Sequence, residues 1–133
     1  MNIAIVGATG NVGRKTLEVF DKKNFKFDDL YLVASEKSAG KKISFRDKEY
    51  VIENLETYDF SKADITFFAA GGEIAEKYAE NAAKHTIVID NSSFFRMDPD
   101  VPLIVPQVNA AEIKNMKKNI IANPNCSTAQ LVI

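Results

Sequence analysis

The sequence predicts an α/β fold with a doubly wound, mostly parallel sheet. Short apolar runs of strand length alternate with helix-like stretches, and the connections between them are short. Alternation of this kind favours parallel pairing of strands through right-handed crossovers. With 133 residues, 46% of them hydrophobic and 26% charged, residues 1–133 have the size and balance of one domain.

Apolar periodicity places the elements in order along the chain. Runs rich in β-branched and aromatic residues predict strands at Ile3 to Val6, Leu30 to Ala34, Ile65 to Ala70, Thr86 to Ile89, Leu103 to Val105 and Ile120 to Ala122. Amphipathic or alanine-rich stretches predict helices around Lys15 to Phe20, at Ile74 to Lys84 and at Ala110 to Met116. Two alternating segments, Ile43 to Phe45 and Tyr50 to Ile52, predict a small β excursion.

Composition argues against several kinds of partner. The 17 basic and 18 acidic residues are spread along the chain, so we expect no basic face for nucleic acid. No apolar run approaches the roughly 20 residues of a membrane span, and no secretory signal precedes the first strand. A single cysteine without companion ligands gives neither an internal disulfide nor a metal site. We therefore expect a cytoplasmic protein with no membrane or nucleic-acid partner and no metal.

A glycine-rich segment, Gly7-Ala8-Thr9-Gly10-Asn11-Val12-Gly13, joins the first predicted strand to the first helix. In dinucleotide-binding loops the first glycine permits a tight turn, the second lets the backbone approach a pyrophosphate, and the third brings helix and sheet together. The helix N-terminus adds N–H groups and partial positive charge for phosphate. The segment predicts a Rossmann-like dinucleotide-binding domain, although a plain strand-to-helix turn could have the same glycines.

The residues after the second predicted strand bear on the choice of cofactor. NAD sites usually hold an acidic residue there, about 20 residues past the glycines, to bind the ribose 2′-hydroxyl. Here the order is Ser35-Glu36-Lys37-Ser38. Lys37 and Ser38 offer a charge and a hydroxyl to a 2′-phosphate, whereas Glu36 would repel it if it faced the ribose. The segment favours NADP, with Glu36 expected to be a solvated loop residue.

Cys126 lies where the sequence predicts the first turn of a helix, with Asn125 as candidate N-cap and Pro124 before it. A helix N-terminus favours the thiolate, which is the nucleophilic form of cysteine. A lone cysteine is more often a small buried hydrophobic residue, so its position and neighbours decide the interpretation.

Arg96 follows the strand predicted at Thr86 to Ile89, at the carboxyl edge where open parallel sheets bind ligands. It could hold an oxyanion through two parallel hydrogen bonds. A surface ion pair with Asp98 or Asp100 would explain the same arginine equally well, and the sequence leaves both interpretations open.

Five segments in order carry a resemblance to a known family. They are Gly7 to Gly13, Ser38-Ala39-Gly40-Lys41, Ala70-Gly71-Gly72, Asn91-Ser92-Ser93 with Arg96-Met97-Asp98, and Asn123-Pro124-Asn125-Cys126-Ser127-Thr128. Over essentially its whole length the chain resembles the N-terminal part of aspartate-semialdehyde dehydrogenases. Two residues depart from that family's pattern, since Lys37 stands where arginine is frequent and Gln107 where glutamate is expected.

The resemblance implies NADP-dependent reductive dephosphorylation of L-4-aspartyl phosphate to L-aspartate 4-semialdehyde, through a thioester on Cys126. This reaction serves the biosynthesis of lysine, threonine, methionine and diaminopimelate. The implied cofactor-binding residues are Gly7, Thr9, Gly10, Asn11, Val12, Gly13, Ser35, Lys37, Ser38, Gly71 and Gly72. The implied substrate-binding residues are Asn91, Ser92, Arg96 and Asn125, with Arg96 gripping the substrate phosphate.

The family's C-terminal half contributes a histidine acid/base, a carboxylate-binding arginine and most of the dimer interface, and the sequence ends at Ile133 without it. We therefore expect a fragment that binds nucleotide weakly and does not turn over. The full-length protein is expected to be a homodimer, by resemblance alone.

Two alternatives share parts of this pattern. N-acetyl-glutamyl-phosphate reductases have the same fold and mechanism, but their cysteine is flanked by Gly and Tyr-Pro, unlike Asn125 and Ser127-Thr128 here. A short-chain dehydrogenase or an NADP sensor would also suit the glycine segment, and Tyr58-x-x-x-Lys62 mimics a short-chain catalytic pair. Fast thiol labelling of Cys126 would separate a dehydrogenase from a sensor.

Overall fold

Six parallel strands form the central sheet of the computed structural model, which describes residues 1–133. The strands of the chain are β1 (Ile3–Val6), β2 (Leu30–Ala34), β3 (Lys42–Phe45), β4 (Lys48–Val51), β5 (Glu53–Asn54), β6 (Ile65–Phe68), β7 (Ile87–Asp90) and β8 (Ile120–Ala122). The helices are α1 (Asn11–Lys22), α2 (Gly72–Ala82), α3 (Pro106–Asn109) and α4 (Cys126–Leu131). Sheet order is β5-β2-β1-β6-β7-β8, which confirms the doubly wound α/β prediction.

The sheet order changes direction between β1 and β6. From β1 the chain moves outward on one side through β2 and β5, then returns to place β6 on the other side of β1 and continues through β7 and β8. Open α/β sheets bind ligands outside the carboxyl ends of their strands at such a switch point. The ends of β1 and β6 are therefore where a ligand is expected.

Helices α1 and α2 belong to different hydrophobic cores. Leu17 and Phe20 of α1 pack in a core with Ile3 and Ile5 of β1. Ala75, Ala79 and Ala82 of α2 are fully buried in a second core with the opposite side chains of β1, Ala4 and Val6. Alternating side chains of a strand point to opposite faces, so the two helices cover opposite faces of the sheet.

A two-stranded antiparallel hairpin of β3 and β4 accounts for the predicted β excursion. Arg46 and Asp47 form its turn, both with positive φ. The Arg46 guanidinium donates to the carbonyls of Phe20 and Phe25, at 2.5 and 2.7 Å, and lies over the Phe45 ring. The arginine thereby ties the hairpin to the end of α1.

The prediction of a strand at Leu103 to Val105 is wrong. Leu103 forms only one isolated parallel bridge, to Ala122 of β8, and α3 begins at Pro106 immediately afterwards. The fixed φ and missing N–H of proline suit the first turn of a helix and end the extended segment. The helix predicted at Ala110 to Met116 is instead a 3₁₀ helix, Ala110–Asn115.

Besides α3, two short elements have no counterpart in the predictions. Strand β5 has two residues and pairs with the end of β2, and a 3₁₀ turn spans Phe60–Lys62. Segments of two or three residues are too short to show a hydrophobic periodicity. Their conformation depends on contacts with residues that are distant in sequence. None of the helices is long and apolar enough to cross a membrane.

Candidate active site

A cleft of about 510 Å³ lies at the carboxyl ends of β1, β2 and β6. The residues that line it come from the glycine segment, the turn after β2, the segment after β5 and one face of α2. They are Val6, Gly7, Thr9, Gly10, Ala34, Ser35, Glu36, Leu55, Glu56, Ala69, Ala70, Ile74, Lys77 and Tyr78. This position is the switch point of the sheet, so the cleft is the candidate site for a dinucleotide.

The three glycines at the cleft have different constraints. Gly7 has a φ of +87°, and a Cβ there would lie 2.7 Å from the carbonyl oxygen of Ala69. A Cβ on Gly13 would collide with the Gly7 carbonyl oxygen and lie 2.8 Å from the Ala8 Cα. A Cβ on Gly10 would meet nothing of the chain closer than 3.5 Å. The fold itself requires Gly7 and Gly13, whereas at Gly10 the space is free for a ligand.

The N-terminus of α1 faces the same cleft through its N-cap, Gly10. This residue has no side chain, so the first-turn N–H groups, beginning at Asn11, receive no side-chain cap. Uncapped N–H groups at the positive end of a 12-residue helix form an anion site. The open backbone at Gly10 and this helix end fit the pyrophosphate of a dinucleotide.

The turn after β2 places only part of the predicted 2′-phosphate segment at the cleft. Ser35 and Glu36 line the cleft, so Glu36 is an exposed residue that also faces the candidate site. The N–H groups of Ser38 and Ala39 donate to the Ser35 carbonyl, which folds the chain back. Lys37 is exposed and Ser38 half-buried, and neither lines the cleft as the chain stands.

The connection between β6 and α2 also reaches the cleft. Ala69 and Ala70 line it, while Gly71 and Gly72 follow at the start of α2 without lining it. Gly71 has a φ of +90°, which favours glycine whatever space surrounds it. The structure therefore explains Gly71 by its backbone conformation, and a cofactor contact at Gly71 and Gly72 stays a prediction.

Among the lining residues to which the sequence analysis assigned no site role, five come from the segment after β5 and from α2. Leu55 and Glu56 follow the two-residue strand β5, for which the sequence gives no signal. Ile74, Lys77 and Tyr78 form one face of α2, and their i, i+3, i+4 spacing could have indicated a shared face. The spacing alone would have suggested core packing, because only the tertiary fold shows that this face borders a cleft.

A second set of predicted residues lies at the ends of β7 and β8, on the same edge of the sheet. Asp90 is fully buried and accepts hydrogen bonds from the Ser92 N–H and hydroxyl, at 3.1 and 2.6 Å. Asn123 donates through its side chain to the Asn91 Oδ1 at 2.7 Å. The N–H and hydroxyl of Ser92 are therefore both hydrogen-bonded to Asp90 inside the protein. The Asn91 side chain instead links the end of β7 to the end of β8 through Asn123.

Arg96 holds the same two strand ends together. Its Nε donates to the Asn123 carbonyl at 2.9 Å, and its Nη2 donates to the Asn91 carbonyl at 3.1 Å. The alternative that the sequence left open, an ion pair with Asp98 or Asp100, is wrong, because those carboxylates pair with Lys118 and Lys117. Nη1 makes no hydrogen bond within the chain, so one end of the guanidinium can still receive an oxyanion.

Cys126 is exposed and is the first residue of α4. Asn125 caps this helix, since its Oδ1 accepts the Thr128 N–H at 2.8 Å, as the sequence predicted. A small cleft of about 240 Å³ includes Val12 of α1 together with Asn91 and Asn123. This small cleft lies between α1, whose N-terminus borders the nucleotide cleft, and the ends of β7 and β8. Arg96 and Cys126 follow those two strands in the sequence.

Tyr58 and Lys62 do not form a catalytic pair in this fold. Tyr58 is buried, its hydroxyl has no hydrogen-bond partner, and it does not line the cleft. Burial raises the pKa of Tyr58 well above its usual value, which opposes a phenolate. A short-chain catalytic tyrosine needs the opposite, a hydroxyl open to substrate and readily ionised.

Comparison with known proteins adds an independent finding. The family model described as "Semialdehyde dehydrogenase, NAD binding domain" matches residues 2–116. An aspartate-semialdehyde dehydrogenase of Aquifex aeolicus is 52% identical over 98% of this chain, and one of Rickettsia bellii is 48% identical over 99%. The chain spans 39% and 40% of the length of these two relatives.

Solved structures of aspartate-semialdehyde dehydrogenases are also similar to this chain. The crystal structure of aspartate semialdehyde dehydrogenase II from Vibrio cholerae superimposes with a TM-score of 0.94 at 49% identity, covering 98% of this chain and 40% of that one. The enzyme from Candida albicans, solved with NADP, gives a TM-score of 0.70 at 29% identity, covering 98% and 44%. A Rex-family repressor at 18% identity and a TM-score of 0.62 shares the fold alone.

Proposed function

The chain belongs to the semialdehyde dehydrogenase family, and on that premise we propose that it is the nucleotide-binding portion of an aspartate-semialdehyde dehydrogenase. The proposed reaction is the NADP-dependent conversion of L-4-aspartyl phosphate to L-aspartate 4-semialdehyde, a step toward lysine, threonine, methionine and diaminopimelate. One observation carries the proposal. The glycine-lined cleft and the exposed Cys126 lie at the carboxyl edge of one parallel sheet.

The cofactor would lie across the ends of β1, β2 and β6. Gly7, Thr9 and Gly10 would border the pyrophosphate, with the free N–H groups of α1 from Asn11 to Gly13 offering hydrogen bonds. Ser35 would approach the adenosine ribose. Lys37 and Ser38, which follow it in the turn after β2, would bind a 2′-phosphate. When bound, NADPH would supply the hydride that reduces a thioester.

The acyl chemistry would belong to Cys126. Its thiolate would attack the acyl carbonyl of aspartyl phosphate, forming a carbon–sulfur bond while the carbon–oxygen bond to phosphate breaks and phosphate leaves. After hydride addition to the thioester carbonyl, the carbon–sulfur bond would break, releasing aldehyde and restoring the thiolate. Asn91 and Asn125 would shape the substrate side, with Ser92 supporting that side from within through Asp90, and Arg96 would bind the departing phosphate through its free Nη1 end.

The comparisons support the nucleotide-binding part more fully than the whole activity, because the chain spans about two fifths of the matched relatives. We propose that residues 1–133 bind nucleotide without turnover, and that the full-length protein is a cytoplasmic homodimer acting on small molecules. Purified chain that produces semialdehyde from aspartyl phosphate and NADPH would contradict the first statement.

Calorimetric titration of the chain with NADP and, in parallel, NAD tests the cofactor assignment. We expect tighter binding of NADP, and we expect the preference to shrink in Lys37→Ala and Ser38→Ala. Lys23→Ala, at the exposed C-cap of α1 and so at the opposite end of that helix from the cleft, serves as a control for folding. A chain that binds neither nucleotide would contradict the proposed cofactor site.

A further inference from the structure

The side-chain charges of the nucleotide cleft are unbalanced for an anionic ligand. Of the fourteen residues that line the cleft, Glu36 and Glu56 are acidic and only Lys77 is basic. NADP carries a pyrophosphate and a 2′-phosphate, so two carboxylates in the cleft wall oppose its binding. The N–H groups of α1 offset the charge of a pyrophosphate. Lys77, the one basic side chain that lines the cleft, is therefore the side chain available to offset a further phosphate.

Lys77 is available for that role. It lies on the face of α2 that borders the cleft, beside Ile74 and Tyr78, and its Nζ is 5.2 Å from the Tyr78 ring centroid. No carboxylate lies within ion-pair distance of it, whereas Lys117 and Lys118 are each engaged by an aspartate. An ammonium without an ion-pair partner beside a ligand cleft has its three N–H donors available to a ligand.

The other residues that line the cleft indicate which part of the ligand Lys77 meets. Ser35 and Glu36 line the same cleft at the end of β2, where the adenosine ribose is read at its 2′ position. Leu55, Ile74 and Tyr78 give the cleft an apolar wall that suits a purine ring. A phosphate on the 2′-oxygen would lie between the β2 turn and α2.

We propose that Lys77 is a specificity-determining residue that binds the 2′-phosphate of the cofactor from the α2 side of the cleft. This inference rests on the proposed function, since it takes the ligand to be NADP. The sequence analysis placed the 2′-phosphate site only in the turn after β2, and Lys77 adds a positive charge to that site from α2. This charge explains how a cleft that contains Glu36 accepts a 2′-phosphate.

Titration with 2′,5′-ADP and with 5′-AMP isolates the 2′-phosphate, because the two probes differ only in that group. We expect Lys77→Met to weaken binding of 2′,5′-ADP by about tenfold and to leave 5′-AMP binding within about twofold of the wild-type value. Lys84→Met is the matched control. Lys84 is exposed just beyond the end of the same helix and does not line the cleft, so both affinities should be unchanged.

The outcomes separate this inference from the proposed function. Unchanged affinity of Lys77→Met for 2′,5′-ADP, or an equal loss for both probes, overturns the assignment of Lys77 to the 2′-phosphate while the cofactor site stands. A wild-type chain that binds neither 2′,5′-ADP nor NADP overturns the proposed function and this inference together. Thermal unfolding of Lys77→Met at the wild-type temperature establishes that a loss of affinity is not a loss of fold.

Discussion

The two ends of the carboxyl edge are built in different ways. On the nucleotide side, at β1, β2 and β6, the site is formed by backbone that side chains would obstruct, as at Gly7 and Gly13. On the cysteine side, at β7 and β8, the site is held by side chains: Arg96 and Asn123 link the two strand ends, and Asp90 holds Ser92 within the turn after β7. We therefore expect the nucleotide side to be disrupted by substitutions that add a side chain to a glycine. We expect the cysteine side to be disrupted by substitutions that remove a hydrogen-bonding side chain.

The largest effect is expected from Gly13→Ala on the nucleotide side. The added Cβ meets the backbone of Gly7 and Ala8, which cannot move without displacing the β1-to-α1 turn. We expect the free energy of unfolding to fall by about 3 kcal/mol or more, measured by urea denaturation.

Gly10→Ala is the matched control for that substitution. It should change the free energy of unfolding by less than about 1 kcal/mol, because its Cβ has room in the unliganded chain. If a pyrophosphate approaches this backbone, the same change should weaken NADP binding at least about tenfold. Equal destabilisation by the two substitutions would contradict the distinction between a fold glycine and a ligand glycine.

An intermediate effect is expected from Arg96→Ala on the cysteine side. Two hydrogen bonds from a charged donor to the carbonyls of Asn91 and Asn123 are lost, which should lower the free energy of unfolding by about 2 kcal/mol. Arg14→Ala removes an exposed arginine with no hydrogen bond or ion pair, and should change stability by less than about 0.5 kcal/mol. Similar stabilities of the two variants, by urea denaturation, would show that the strand ends are held without Arg96.

The smallest effect concerns acid stability near the cysteine side. The Asp98 carboxylate accepts the Asp100 N–H at 2.9 Å and the Lys118 ammonium at 3.2 Å, which lowers the pKa of Asp98 from its usual value. A lowered pKa gives stability that is present above the unfolded-state value, about 4, and is lost as pH falls through the folded-state value. Asp98→Asn should therefore flatten the decline of stability below about pH 4.

Thermal unfolding between neutral and acidic pH measures this decline. Glu76→Gln, which removes an exposed carboxylate of α2 that makes no ion pair, should leave the pH dependence as it is in the wild type. A steeper acid dependence in Asp98→Asn than in the wild type would reverse the sign of the argument.

The same contrast governs how much of the site could be predicted. Gly7, Thr9, Gly10 and Ser35 were predicted and do line the cleft, because a strand, a glycine turn and a helix are consecutive in sequence. Leu55, Glu56 and Lys77 were not predicted, because they reach the cleft only through pairing of β5 with β2 and packing of α2. Cys126 was placed correctly at a helix start because its cap, Asn125, is its neighbour.

The sequence by itself determined the alternation of strands and helices, the glycine segment and the capped cysteine, since each depends on residues close together in the chain. Tertiary structure decided that Leu103 to Val105 contributes one bridge instead of a strand, and that Arg96 reaches backbone carbonyls instead of Asp98 or Asp100. Arg96 and its partner Asn123 lie 27 residues apart in sequence. Local patterns do not encode such pairings, because they depend on which strand ends the completed sheet brings together.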